Sequence, residues 1–188
     1  MKYTSHFVWI DLKSELFSSF FIQIYKYTQK HKIEDIILFQ NPLSPHITLY
    51  YLEEKLNDNT KNDIKKDIKE IYINSSINIS WFNYFHKWDW NKFVLYFTSQ
   101  THLPLKKYRD ELHLKYNRDY VEDNSFSFSP HITFLKILNS KSFEKHRVNI
   151  ERIIHDEIKK IKNLDINKNK ISLYGVNSEF KEEIQIKL

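Results

Sequence analysis

One pentapeptide, Ser-Pro-His-Ile-Thr, occurs twice in this chain, each time followed by a large apolar residue. Ser44-Pro45-His46-Ile47-Thr48-Leu49 returns 85 residues later as Ser129-Pro130-His131-Ile132-Thr133-Phe134. Each copy opens a run in which polar and apolar residues alternate, the period of a half-buried strand. Successive strand side chains point to opposite faces, so His46 and Thr48 share one face, as do His131 and Thr133, while Ile47 and Ile132 turn to the core. With a rise of roughly 3.3 Å per residue, each strand presents an imidazole and a hydroxyl about 6–7 Å apart. The proline before each histidine fixes φ and offers no N–H, which suits the mouth of a strand. The repeat predicts two strands that face each other and place two His/Thr pairs around one ligand.

The rest of the sequence supplies a scaffold of matching order. A strand is expected over 7–12, then a helix capped by Ser14 with Phe17, Phe20, Phe21, Ile24 and Tyr27 on or near one face. The apolar run 36–39 leads through Asn41-Pro42 into the first repeat strand, expected to end near Leu52. A capping box over 60–63 introduces a second helix with Ile64, Ile68 and Ile71 as its stripe. A hairpin follows from 77–85 to 93–98. Next comes a helix over 103–116, with Pro104 in its first turn and Leu105, Tyr108, Leu112 and Tyr116 inward. An extended loop over 118–128 precedes the second repeat strand. One amphipathic helix over 143–161 and two short strands, 170–174 and 184–188 around Gly175, complete the order. Each half reads strand, helix, repeat strand, helix. No low-complexity linker divides them, so residues 1–188 are expected to form a single α+β domain of two lobes.

Composition narrows the ligand. The 188 residues carry 29 basic and 24 acidic side chains, a net charge of +5, which suits an anionic ligand such as a nucleotide or an RNA end. With one glycine in the chain, a Gly-rich phosphate loop is excluded, and side chains must do much of the work of holding any phosphate. The absence of cysteine excludes disulfides and thiolate metal sites. No run has the length of a transmembrane helix and the N-terminus lacks a signal peptide's apolar segment, so a cytoplasmic protein is expected, in the host cytoplasm if the source is viral.

Two H-x-T-hydrophobic motifs on strands, at His46-Ile47-Thr48-Leu49 and His131-Ile132-Thr133-Phe134, resemble those of the 2H phosphoesterase superfamily, which includes the LigT-like RNA 2′,3′-cyclic phosphodiesterases. The resemblance implies a bilobal α+β fold: two antiparallel sheets with outer helices, related by a pseudo-two-fold axis, and an active cleft between. It implies His46 and His131 as the catalytic pair and Thr48 and Thr133 as ligands of phosphate oxygens, with no metal and no cofactor. Substrates in the superfamily include 2′,3′-cyclic RNA ends, ADP-ribose cyclic phosphate, 2′-5′ oligoadenylates and cyclic oligonucleotides.

The chemistry accounts for the residue types. Opening a cyclic phosphate or cleaving a phosphodiester needs an attacking oxygen to lose a proton and a leaving oxygen to gain one. Two imidazoles, with ordinary pKa near 6.5, can hold one neutral base and one charged acid at neutral pH. Threonine hydroxyls can donate to the non-bridging oxygens. The expectation is a metal-independent hydrolase, a monomer acting on a nucleotide or oligonucleotide without membrane attachment. The competing class is a nucleotide- or RNA-binding protein of the same fold without turnover, and the blander one an unrelated α+β structural domain.

Further substrate contacts are proposed on weaker grounds. By alternation Tyr50 shares the face of His46 and Thr48; Phe7 and Trp9 on the first strand, like Trp88 and Trp90 in the hairpin, could stack on a base, with packing as the favoured alternative. Ser44 and Ser129 serve strand entry or touch phosphate. The other histidines, His113 among them, belong to no paired motif.

Overall fold

The structure, a computed structural model, describes residues 4–12, 15, 17–39, 45–52, 57–72, 77–88, 92–97, 99–116, 128, 131–160, 163–166 and 171–177. In chain order the strands are β1 (Thr4–Asp11), β2 (Ile37–Phe39), β3 (His46–Leu52), β4 (Ile77–Trp88), β5 (Lys92–Phe97), β6 (His131–Ile137), β7 (Asn163–Ile166) and β8 (Ile171–Asn177). The helices are α1 (Ser18–His31), α2 (Asp58–Tyr72), α3 (Ser99–Tyr116), α4 (Ser140–Glu144) and α5 (Arg147–Ile158), and a short 3-10 turn, Glu34–Ile36, precedes β2.

Two antiparallel sheets result: three strands in the order β3-β1-β8 and five in the order β2-β6-β5-β4-β7. Each sheet draws on both ends of the sequence. Strand β2 leaves its sequence neighbours to pair with β6, and β8 returns to pair with β1. One apolar cluster runs through both sheets, with Ile47, Leu49, Tyr50 and Leu52 from β3 and Ile132, Phe134, Leu135 and Ile137 from β6.

The helices form where the apolar period predicts them, with corrected ends. Helix α1 buries Phe20, Phe21, Ile24 and Thr28, one face of a 3.6-residue period. Its first residues carry no side-chain cap; the hydroxyl of Ser18 donates instead to the Glu15 carbonyl. It ends at Lys32, whose φ of 54° lies in the left-handed region, while the N–H of Ile33 closes back on the Thr28 carbonyl at 3.0 Å. Helix α2 begins earlier than the capping box suggests: Oδ1 of Asn57 accepts from the Thr60 N–H at 2.8 Å, so Asn57 is the cap and Thr60 lies in the first turn. Helix α3 starts at Ser99, which moves Pro104 out of the first turn; its ring nitrogen cannot close the bond to the Gln100 carbonyl. The single helix expected over 143–161 is two. Asn139 Oδ1 caps α4 through Ser142 N–H at 3.0 Å, and an i→i−3 bond from His146 N–H to Phe143 tightens the backbone before α5 starts. Strand β7 adds to the expected order, and the strand expected at 184–188 lies outside the described residues.

Candidate active site

The two repeat strands carry the same burial pattern residue for residue. Along both His46–Leu52 and His131–Ile137 the sequence of environments is half-buried, buried, half-buried, buried, buried, half-buried, buried. Histidine and threonine are half-buried on one face, and the isoleucine between them is fully buried beneath. Alternation holds for four positions and then breaks at the same place in both strands.

The break is a β-bulge, and the pairing locates it. On β3, Trp9 stands opposite Thr48 and Val8 opposite Tyr50, so Leu49 has no partner on β1. On β6, Val94 stands opposite Thr133 and Phe93 opposite Leu135, so Phe134 has none on β5. An unpaired extra residue puts two successive side chains on the same side and bends the strand. Both bulges fall directly after the H-x-T triplet. The pairing around the triplets is also the same: Ile10 and Leu95 face the two isoleucines, and Asp11 and Tyr96 occupy the positions opposite His46 and His131. These two register positions were not picked out in the sequence, although alternation from Trp9 leads to Asp11. β3 and β6 belong to different sheets yet lie against each other.

The bulge corrects the expectation for Tyr50. Simple alternation puts it on the face of His46 and Thr48, but the extra residue turns it inward. Its side chain is fully buried, and its hydroxyl is 3.1 Å from Nδ1 of His113 on α3. His113, which no motif signals, therefore supports the first repeat strand. The counterpart Leu135 is buried in the same way.

Trp9 shares the face of Thr48 across the strand pair, and its indole lies against the imidazole of His46 with ring centroids 4.0 Å apart and planes tilted by 42°. At 5% exposure it has little surface left to offer a base. Phe7 stands opposite Tyr51 in β1, and Trp88 opposite Lys92 in β4; their side chains, like Trp90, Ser44 and Ser129 as a whole, lie outside the described residues.

Helices clamp each repeat strand from below. Phe134, the bulge residue of β6, meets Phe17, Phe20 and Phe21 at or beside α1, with centroids 5.2, 4.5 and 5.7 Å away. Helix α3 packs on β3 and adds the Tyr50–His113 bond. Arg109 on α3 lies over the ring of Phe128, 5.6 Å from its centroid, just ahead of the second repeat. Among the described residues no group of three or more His, Cys, Asp or Glu is arranged to hold a metal ion, and no helix is long and apolar enough to cross a membrane.

The described residues thus form a mixed helix and sheet protein with two antiparallel sheets and a pair of equivalent H-x-T strands where the sheets meet. Solved structures share that fold. Usb1 of Kluyveromyces marxianus matches with a TM-score of 0.52 and 7% identity, over 92% of this chain and 98% of that one. The same protein with uridine monophosphate matches with a TM-score of 0.50 and 6% identity over the same shares of the two chains. LigT of E. coli, complexed with 3′-AMP, is 17% identical over 75% of this chain and 76% of its own, with a TM-score of 0.48. No family model and no curated protein matches the sequence. The chain shares the fold of the Usb1 structures, and at this identity the likeness is one of fold.

Proposed function

We propose that this chain is a metal-independent phosphodiesterase that hydrolyses a nucleotide or RNA 2′,3′-cyclic phosphate, or a short 2′-5′ or cyclic oligonucleotide, by acid–base catalysis between His46 and His131. The observation that carries the reading is the equivalence of the two triplets in burial, register and bulge, on strands that touch. A fold alone requires buried isoleucines at these positions; it does not require a half-exposed histidine and threonine beside each. The Usb1 structure with uridine monophosphate supports a nucleotide as the class of ligand.

In this reading residues 1–188 act as one bilobal unit with a pseudo-two-fold axis between the repeat strands. One imidazole takes the proton of the attacking water while the other protonates the departing ribose oxygen, so the P–O bond to water forms as the P–O bond of the ring breaks. Thr48 and Thr133 donate to the two non-bridging oxygens, whose charge grows in the transition state.

The test is hydrolysis, with EDTA present, of 2′,3′-cyclic nucleotides, a cyclic-phosphate RNA end, ADP-ribose cyclic phosphate, 2′-5′ oligoadenylate and cyclic oligonucleotides, each compared with His46→Ala and His131→Ala. Turnover abolished by both substitutions supports the mechanism, and the best substrate assigns the linkage. Tight binding of one panel member with no turnover of any would replace the enzyme reading with that of a nucleotide-binding protein.

A further inference from the structure

The residues in register with the two triplets differ in type. Opposite Thr48 stands Trp9, and its indole lies against the His46 imidazole, 4.0 Å between centroids with the planes tilted by 42°. Opposite Thr133, in the equivalent register position, stands Val94. The indole of Trp9 is held: it is 5% exposed on the central strand of its sheet, between β3 and β8. A half-buried imidazole on a strand turns about two side-chain torsions, and a buried indole packed against the ring restricts that freedom.

We propose that Trp9 is a positioning residue for His46: it fixes the plane of that imidazole toward the substrate. The proposal deepens the phosphodiesterase reading and rests on His46 being a catalytic group. Trp9 itself meets no substrate in it. An imidazole displaced by about 1 Å or turned off the line of proton transfer loses on the order of 100-fold in rate. Substrate binding, which depends on phosphate and base contacts elsewhere, is spared.

The experiment combines ring-proton NMR of the histidines with kinetics on a 2′,3′-cyclic nucleotide, in the intact chain and in Trp9→Leu and Trp9→Phe. The His46 and His131 resonances are assigned by their loss in His46→Asn and His131→Asn. An indole face shields protons above it, so the His46 ring protons are expected upfield. In Trp9→Leu they move downfield while those of His131 stay in place, and kcat falls roughly 10- to 100-fold with KM nearly constant. Trp9→Phe, which keeps an aromatic face, recovers most of the rate and part of the shielding. Leucine leaves a smaller side chain in a packed position; if that variant does not fold, Trp9→Phe carries the measurement through its partial loss of shielding. His46 resonances unmoved in the folded variants, or His131 moving equally, would overturn the proposal, as would an unchanged kcat. A wild-type chain that hydrolyses nothing while its His46 resonances alone respond would sink the phosphodiesterase reading and support Trp9 as the residue that orients a ligand-binding imidazole.

Discussion

The hydroxyl of Tyr50 and Nδ1 of His113 lie 3.1 Å apart, joining the first repeat strand to the helix beneath it. Tyr50 is fully buried and its ring fills the core directly after the bulge. Tyr50→Phe keeps the ring and removes the bond. The expected cost is about 1 kcal/mol, which for a chain of this length lowers Tm by roughly 2–4 °C. Thermal unfolding followed by circular dichroism checks it. An unchanged Tm would mean that the bond does not hold the strand to α3.

Phe134 occupies the corresponding bulge in β6 and is the centre of the ring cluster with Phe17, Phe20 and Phe21. Removing it leaves a cavity between α1 and the five-stranded sheet. Phe134→Ala should destabilise by about 3–5 kcal/mol, and Phe134→Leu by less, because leucine refills part of the volume. Urea unfolding of the three proteins gives the comparison. A cost under about 1 kcal/mol for alanine would show that the bulge side chain is not packed as the structure has it.

Lys32 closes α1 with φ 54° and ψ 50°, a conformation in which a Cβ crowds the following carbonyl. Glycine is the residue usual at this position, and the chain spends its one glycine elsewhere, at Gly175. Lys32→Gly relieves the strain at an exposed site but widens the unfolded ensemble. The net expectation is a gain of roughly 0.5–1 kcal/mol, read as a higher urea midpoint with an unchanged slope. A lower midpoint would contradict it.

The parts of this fold that were legible in the sequence follow periods. The triplets alternate for four residues, so strand ends at His46 and His131 and the half-exposure of both His/Thr pairs could be read from the pattern. The stripes of α1 and α5 were equally plain. What could not be read depends on partners distant in sequence. Nothing in Leu49-Tyr50 or Phe134-Leu135 announces a bulge, because it is a mismatch of register with β1 and β5, and so simple alternation puts Tyr50 on the wrong face. The turn dividing α4 from α5 interrupts a stripe in which Phe143, Ile150, Ile154 and Ile158 keep a helical spacing throughout. Strand β7 is four residues long and rests on its pairing with β4, too short to show a period of its own.

Acid should weaken the fold through two carboxylates. Burial works to raise the pKa of Asp67, but hydrogen bonds from Tyr116 and Lys115 and the charges of Lys115 and Lys66 outweigh it, so the group sits below the ordinary 3.8. Glu157 is likewise opposed by burial and carried below 4.5 by hydrogen bonds from Lys160 and Ser19, both at 2.6 Å. A carboxylate depressed in the folded state contributes stability that is complete above its unfolded value and is lost as the pH falls through the folded one. Tm is therefore expected to decline as the pH drops below about 4.5, the ordinary glutamate value. Asp67→Asn and Glu157→Gln should each lower stability at neutral pH and make the decline shallower. A decline as steep in both variants as in the parent would assign the acid sensitivity to other groups.

The threonines offer the most direct test of the site that spares its histidines. Thr48 and Thr133 are half-buried at equivalent positions, opposite Trp9 and Val94. Valine has the same branched shape and at least as strong a preference for strands, so Thr48→Val and Thr133→Val remove a hydroxyl with little strain on β3 or β6. If each hydroxyl donates to a phosphate oxygen whose charge grows in the transition state, each substitution lowers kcat by on the order of 100-fold or more. Serine, which restores the donor, should recover most of it. A fall confined to KM would instead mean that the hydroxyl holds substrate and transition state alike. Because the registers around the triplets match, the two valine variants are expected to lose comparable rates. A loss in one alone would show that only one half of the repeat grips the phosphate, and would confine the transition-state donor to that strand.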